Sequence, residues 1–446
     1  MQPKYPNSAQ QAAPMPSLPE VYRSVAVPSQ ANFWRKLLAF SGPGFLVAVG
    51  YMDPGNWVTD IAGGSQFAYR LIFVLFLSNL IAILLQTLAA RLGIVAQKDL
   101  AQICRDYYSR PAGIILWILA EIAIAACDLA EVIGSAIALN LLFHIPLLWG
   151  VLITSLDVLA ILYLQHRGYR YLEIVVVAVI GTIGLCYLIE ILLVKPEVAG
   201  MVQGLLPTHE LFTNYSMLYI AVGMLGATVM PHNLYLHSSL VQTRAIERTP
   251  EGMQTAIRYN FLDSALALNL AFLVNAAILI MAAATFNRHG LYQVAEIQDA
   301  YHTLSPLLGV KAASLLFAVA LLCSGQNSTL TGTLAGQVVM EGFLHLRLTP
   351  WLRRMVTRLL AIIPAFFTVL FYGAKGTNQL LILSQVVLSL QLSFAVFPLV
   401  KFAGSKTLMG KFVTPKWLHA ISWSVAWLIA GLNGYLVFVW IRGAIS

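Results

Sequence analysis

Between residues 38 and 441 the chain holds eleven apolar stretches long enough to cross a bilayer, at 38–66, 71–93, 112–142, 147–165, 171–194, 216–240, 261–286, 311–344, 355–374, 379–400 and 418–441. A crossing takes about 20 residues, and hydrocarbon offers no water to the backbone, so each stretch has to be a helix. The connections are too short to hold a soluble domain. With 59% hydrophobic and 10% charged residues, against about 25% charged in soluble proteins, a soluble enzyme is excluded. The net charge of +8 is read by position in the loops and not as a nucleic-acid signal. The expected fold is an all-α polytopic membrane protein, with a flexible tail over 1–36 and a single eleven-span domain over 37–446.

Placing the tail in the cytoplasm puts 21 of the 27 Lys and Arg residues on that side and leaves Arg70, Lys195, Arg288, Lys311, Lys375 and Arg442 outside. The positive-inside rule then predicts a cytoplasmic N-terminus and an external C-terminus. The tail lacks the basic and apolar sequence of a cleavable signal. Cys104, Cys127, Cys186 and Cys323 have no metal-type spacing and read as small packing residues.

Two spans carry proline in mid-membrane. Span 1 contains Tyr51-Met52-Asp53-Pro54-Gly55-Asn56-Trp57, and span 6 contains Ala227-Thr228-Val229-Met230-Pro231-His232-Asn233. Proline removes a donor and clashes with the preceding turn, so both helices are expected to break. A broken helix opening each of two five-span halves is the pattern of an inverted-repeat secondary transporter, with its substrate held between the breaks. Spans 1–5 and 6–10 would be the repeats and span 11 an addition.

Asp53 is an ionisable group at bilayer depth, which marks a functional site. Asn56 follows three residues later. Met230 directly precedes the second proline, and unwinding would free the carbonyl of Ala227. A lone membrane methionine is ordinarily packing, but this position points to a ligand. A thioether beside hard oxygens suits Mn²⁺ or Fe²⁺ and gains little from Mg²⁺ or Ca²⁺.

Asp53-Pro54-Gly55-Asn56, together with Met230-Pro231-His232-Asn233 and the following Leu234-Tyr235-Leu236-His237-Ser238-Ser239-Leu240, resembles the signatures of the Nramp family, proton-coupled divalent metal transporters with a LeuT-type fold. The resemblance runs from about Phe40 to the C-terminus and includes Ser324-Gly325-Gln326-Asn327-Ser328-Thr329 and Leu383-Ser384-Gln385-Val386. It implies that Asp53, Asn56, Met230 and the Ala227 carbonyl bind the metal, with Gln385 joining when the site closes. It also implies import of Mn²⁺, Fe²⁺ and similar ions such as Cd²⁺ by alternating access. The expected partners are divalent metal ions, protons and the lipid bilayer, with no cofactor and no nucleic acid, in a bacterial plasma membrane.

Glu121, Asp128 and Glu131 in span 3 are spaced seven and three residues apart, on one helix face. A line of carboxyls avoids lipid and can pass protons. His232 titrates near neutrality when unperturbed, and Arg353 and Arg354 enter span 9 from the cytoplasmic side, where they can pair with the acids. The resemblance supports this group as the proton pathway. Asp157, Asp263, His237 and Asn275 are further polar groups in spans with no assigned role.

A channel would need a continuous pore with rings of like groups, which paired broken helices do not make. Catalytic motifs of zinc proteases and serine hydrolases and a nucleotide-binding loop are absent from the sequence, so the chain is not expected to be an enzyme or a primary pump. The competing transporter readings are an Nramp-related Mg²⁺ carrier, against which Met230 speaks, and another LeuT-type solute symporter, against which the combined ligands speak.

Overall fold

The computed structural model describes residues 16–28, 31–156, 169–292, 294, 296–310, 312–344 and 350–445. The chain is helical almost throughout. Its main helices are α1 (Phe33–Phe40), α2 (Pro43–Gly50), α3 (Pro54–Phe67), α4 (Ile72–Ala96), α5 (Leu100–Tyr107), α6 (Arg110–Phe143), α7 (Leu147–Ile153) and α8 (Tyr169–Val194) in the first half. The second half holds α9 (Tyr215–Val229), α10 (Pro231–Leu240), α11 (Pro250–Thr285), α12 (Ile297–Leu308), α13 (Ala312–Leu344), α14 (Pro350–Ala403) and α15 (Lys416–Ile445).

Among the described residues, eight helices are long and apolar enough to cross a membrane. Span 1 is missing from that number because its break divides it into α2 and α3, each too short alone. Span 9 corresponds to the shorter apolar helix Arg358–Gly373. Gly373, with φ of 59°, ends that arm of α14, and the second arm, Gly376–Ala403, is span 10. The positive φ is what lets the chain turn between the two arms, since only glycine enters that region without a steric penalty. Span 4 is described only through α7 and the turn to residue 156; the rest of it, with Asp157, lies outside the described residues.

Both breaks have the same construction. Asp53 caps α3, its side chain accepting from the Asn56 N–H, with Pro54 at the first helical position. Pro231 likewise opens α10 after Met230. Proline is favoured at that position because its missing N–H is one the helix start leaves unbonded in any case. The broken helices sit inside the bundle: α3 packs on α11, α9 on α14, and α6 on α13 and α14.

Residues 16–28 belong to the stretch expected to be a flexible tail, and the structure instead packs them against the bundle. Val25–Ala26 (β1) pairs in parallel with Arg244–Ala245 (β2), just beyond α10. The Arg23 N–H donates to Gln242 O at 3.0 Å, and the buried Ser17 hydroxyl donates to Asp99 Oδ2 at 2.6 Å. On the same side the buried Arg244 guanidinium holds Glu173 of α8 at 2.7 Å and donates to the carbonyls of Ala39 and Ser41. Asp263 of α11 accepts from the amides of Gly42 and Gly44. Arg170 of α8 also donates to the carbonyls of Leu38 and Ser41 at 2.7 Å, so the bend between α1 and α2 is clasped by two arginines and one carboxylate.

Candidate metal site and proton route

The two breaks meet. The Tyr51 hydroxyl donates to the Val229 carbonyl at 3.3 Å, so a backbone group freed in one helix is bonded by a side chain from the other. Gln86 of α4 donates to the Tyr51 hydroxyl at 2.9 Å, and its carbonyl oxygen lies 3.0 Å from His237 Nδ1. Asn275 of α11 donates to the Tyr51 carbonyl at 2.7 Å and to Asn56 Oδ1 at 3.3 Å. The Met52 carbonyl accepts from the Trp57 indole at 3.2 Å and from Ser324 of α13. Nearly every carbonyl released by the first break thus has a side-chain donor, which is what allows a non-helical segment to exist in the interior of a membrane bundle.

Inside this frame Asp53, Asn56, Ala227, Met230 and Gln385 are all buried completely. Asp53 Oδ1 accepts from the Asn56 backbone at 2.8 Å and from the Asn56 side-chain amide at 2.7 Å. The same amide donates to the Ala227 carbonyl at 3.1 Å. Asn56 therefore reaches, with its NH₂ group, both oxygens that a cation would use. Turning the amide about its last torsion would direct Oδ1 to that point instead, because the two ends of the group have the same shape. Asp53 Oδ2 has no partner.

Met230 joins the two helices with φ of 40°, a region that bulky L-residues rarely enter. Its sulfur accepts from the Asn233 amide at 3.5 Å, and a methyl at Gly50 would lie 3.0 Å from it. Gln385 rests against Gly55, where any added Cβ would overlap its amide. Its Nε2 is held by Ser384 at 2.9 Å, while Oε1 has no partner. One carboxylate, two amides, one carbonyl and one thioether converge here. Among the described residues no three His, Cys, Asp or Glu side chains gather as a metal cluster, so the anionic share of this donor set is a single carboxylate.

The α6 carboxyls divide. Asp128 and Glu131 face one space beside Gly332 of α13, where a Cβ would stand 3.0 Å from Asp128 Oδ1 and 3.3 Å from Glu131 Oε1. Glu131 accepts from the Cys127 thiol, with S···O of 3.6 Å, and pairs with Arg358 at 3.4 Å. Arg358, 4% exposed, also donates to Thr329 at 3.1 Å. Glu121 is half-buried farther along α6, accepting from the Trp117 indole at 3.0 Å. The expected partners of the acids, Arg353 and Arg354, have side chains outside the described residues. The arginine that reaches Glu131 is Arg358, one turn deeper in the helix. His232 is 1% exposed with Nδ1 unpartnered. His237 and Asn275 belong to the frame around the breaks, and Asp263 to the α1–α2 clasp.

The family model described as natural resistance-associated macrophage protein-like, Nramp, matches residues 44–439. The chain belongs to the Nramp family. As an Nramp chain it is a membrane transporter and not an enzyme. It is 60% identical to the divalent metal cation transporter MntH of Nostoc sp. over 422 residues, covering 95% of this chain and 96% of that one. The crystal structure of the manganese transporter of Eremococcus coleocola matches it with a TM-score of 0.87 at 43% identity, covering 93% and 89% of the two chains. A weaker likeness, TM-score 0.59 at 14% identity over 90% and 93%, is to Mhp1, a nucleobase-cation-symport-1 family transporter, and concerns the fold alone. The architecture is the LeuT type, with spans 1 and 6 broken as expected.

Proposed function

We propose that this Nramp protein imports divalent transition metal ions, Mn²⁺ and Fe²⁺ foremost and Cd²⁺ among similar ions, coupled to protons by alternating access. The observation that carries the reading is the Asn56 amide held between Asp53 Oδ1 and the Ala227 carbonyl, with Asp53 Oδ2 unpartnered beside it. A buried carboxylate in a lipid-enclosed bundle calls for a cation. On metal binding the amide turns its oxygen inward, Met230 supplies the soft ligand, and Gln385 Oε1 completes the shell when the outer side closes. The names of the Nostoc and Eremococcus relatives support a divalent metal as cargo.

Protons leave the site along His232, Asp128 and Glu131, with Glu121 farther along α6. Arg358 holds Glu131 electrostatically, and Arg353 and Arg354 at the start of span 9 remain proposed members of the route. The positive-inside distribution supports a cytoplasmic N-terminus and an external C-terminus, in the plasma membrane of a bacterium. The test is Mn²⁺ uptake into proteoliposomes carrying an internal pH dye. Saturable uptake with internal acidification is expected. Uptake without acidification would remove the coupling, and no uptake of any divalent transition metal would remove the reading.

A further inference from the structure

A second set of buried acids stands on helices that the proton route does not use. Asp60 lies seven residues beyond Asp53, so the two share a face of α3 two turns apart. It is fully buried, and neither of its carboxyl oxygens has a partner. Glu190 of α8 is equally buried, and both of its oxygens are unpartnered too. Tyr187 sits one turn before Glu190 on the same face of α8. Its ring meets Trp57 of α3 edge-on with centroids 5.1 Å apart, and its buried hydroxyl has no partner either. The Trp57 ring that Tyr187 meets stands one turn before Asp60 on α3, and Glu190 one turn after Tyr187 on α8, so the three groups lie along one contact between the two helices.

Among the described residues no Lys, Arg or His side chain pairs with any of these three groups. The other titratable groups near this set are Cys186 on α8 and Cys323 on α13. From Asn260 to Thr285, α11 carries one ionisable residue, Asp263, and that carboxylate is taken by the amides of Gly42 and Gly44. Five unpartnered oxygens in a lipid-enclosed bundle are tolerated when the carboxyls are neutral, that is, when they carry protons. A metal ion is a poorer occupant, since no three carboxylate, histidine or cysteine groups converge among the described residues. Glu190 also lies one turn from the end of α8 at Val194, the end that precedes Lys195 and that the charge distribution puts outside.

We infer that Glu190, Tyr187 and Asp60 form a second proton-holding chain in the external half of the bundle, which takes protons from the outer side toward the span-1 break. It is built on α8 and α3 and is separate from the acids of α6. Because these oxygens do not bond one another, each step runs through a bridging water, which accepts the proton of one group as it gives its own to the next. The phenol accepts one proton as it releases its own, so Tyr187 carries no lasting charge. This inference rests on the proposal that metal import is coupled to protons.

The test uses the full chain in proteoliposomes, with Mn²⁺ uptake and internal acidification followed as external pH is varied. Infrared spectroscopy of the same samples reads the carbonyl band of protonated carboxyls. Asp60→Asn and Glu190→Gln should each lose part of that band and flatten the dependence of acidification per Mn²⁺ on external pH, while calorimetric Mn²⁺ affinity stays at the wild-type level. Tyr187→Phe, which removes only the hydroxyl, should flatten the same dependence and keeps the test intact if a carboxyl variant does not fold. If wild type acidifies with uptake and the variants match it in both readouts, the inference alone is overturned. If wild type moves no protons with Mn²⁺, the coupling proposal fails and this inference falls with it.

Discussion

Arg358 reaches across from α14 to place a guanidinium nitrogen 3.4 Å from Glu131 Oε2, and both side chains are removed from solvent. A buried pair of this kind is harder to break than to replace. Taking away one partner leaves an uncompensated charge, at about 3–5 kcal/mol, whereas removing both can be close to neutral. Arg358→Ala should therefore lower the melting temperature markedly, and adding Glu131→Gln should recover much of it. Strict additivity of the two losses in a thermal-shift assay would show that the ion pair carries no coupling.

Glu131→Gln alone keeps the shape of the carboxyl while removing its proton-binding function. Internal acidification per Mn²⁺ transported should fall, with Mn²⁺ affinity little changed. Wild-type acidification in this variant would take Glu131 out of the route.

Asp53→Ala or Asn56→Ala removes one of the few oxygen donors at the breaks. Each variant should insert and fold yet lose Mn²⁺ binding by calorimetry and Mn²⁺ uptake. Retained Mn²⁺ binding in folded Asp53→Ala would move the site elsewhere.

Met230 discriminates by softness. Ca²⁺ and Mg²⁺ gain little from a thioether, whereas Mn²⁺ and above all Cd²⁺ gain from it. In Met230→Ala a retained water can take the place of the sulfur, so Mn²⁺ still binds, Ca²⁺ and Mg²⁺ begin to compete, and Cd²⁺ loses most. The measurement is competition against Mn²⁺ uptake. An unchanged selectivity profile would make the sulfur a packing group.

Asp99 lies outside the spans, at the start of α5, and burial pushes its carboxyl up to about 6, above the ordinary value near 4. The folded chain thus binds this proton more tightly than the unfolded one, while the Ser17 hydroxyl works the other way and favours the charged carboxylate. The contribution of Asp99 to folding stability is complete below about pH 4 and is lost as pH rises through about 6. The melting temperature should therefore fall between pH 4 and 7, and Asp99→Asn should flatten that fall. An identical pH profile in the two proteins would exclude Asp99 as its cause.

The spans and both breaks were legible in the sequence because lipid leaves a buried chain few choices: long apolar runs are helices, and proline within them interrupts the ladder. Asp53, Asn56 and Met230 were legible for the same reason, as ligand-type residues beside those prolines. Arg358 was not. Three arginines stand within two turns at the start of span 9, and which of them faces Glu131 depends on the rotation of α14 against α6, a tertiary quantity. The chain of contacts through Tyr51, Gln86 and His237 joins residues 35 and 151 positions apart, beyond the reach of local pattern. A two-residue strand such as β1 leaves no periodic trace. Asp60 and Glu190 stood in plain view as acids within spans 1 and 5, but no neighbour in sequence suggested what they face.

The short ribbon of β1 and β2 joins the chain ahead of span 1 to the chain just after the second half of span 6, so the opening helices of the two repeats share one handle on that side. Any rocking in which α2 swings away must either carry α10 with it or tear backbone hydrogen bonds. Spin labels on Ala26 and Ala245 would keep a fixed separation throughout a turnover in the first case and part in the second, which makes this pair a built-in gauge of whether the two half-helices move as one body.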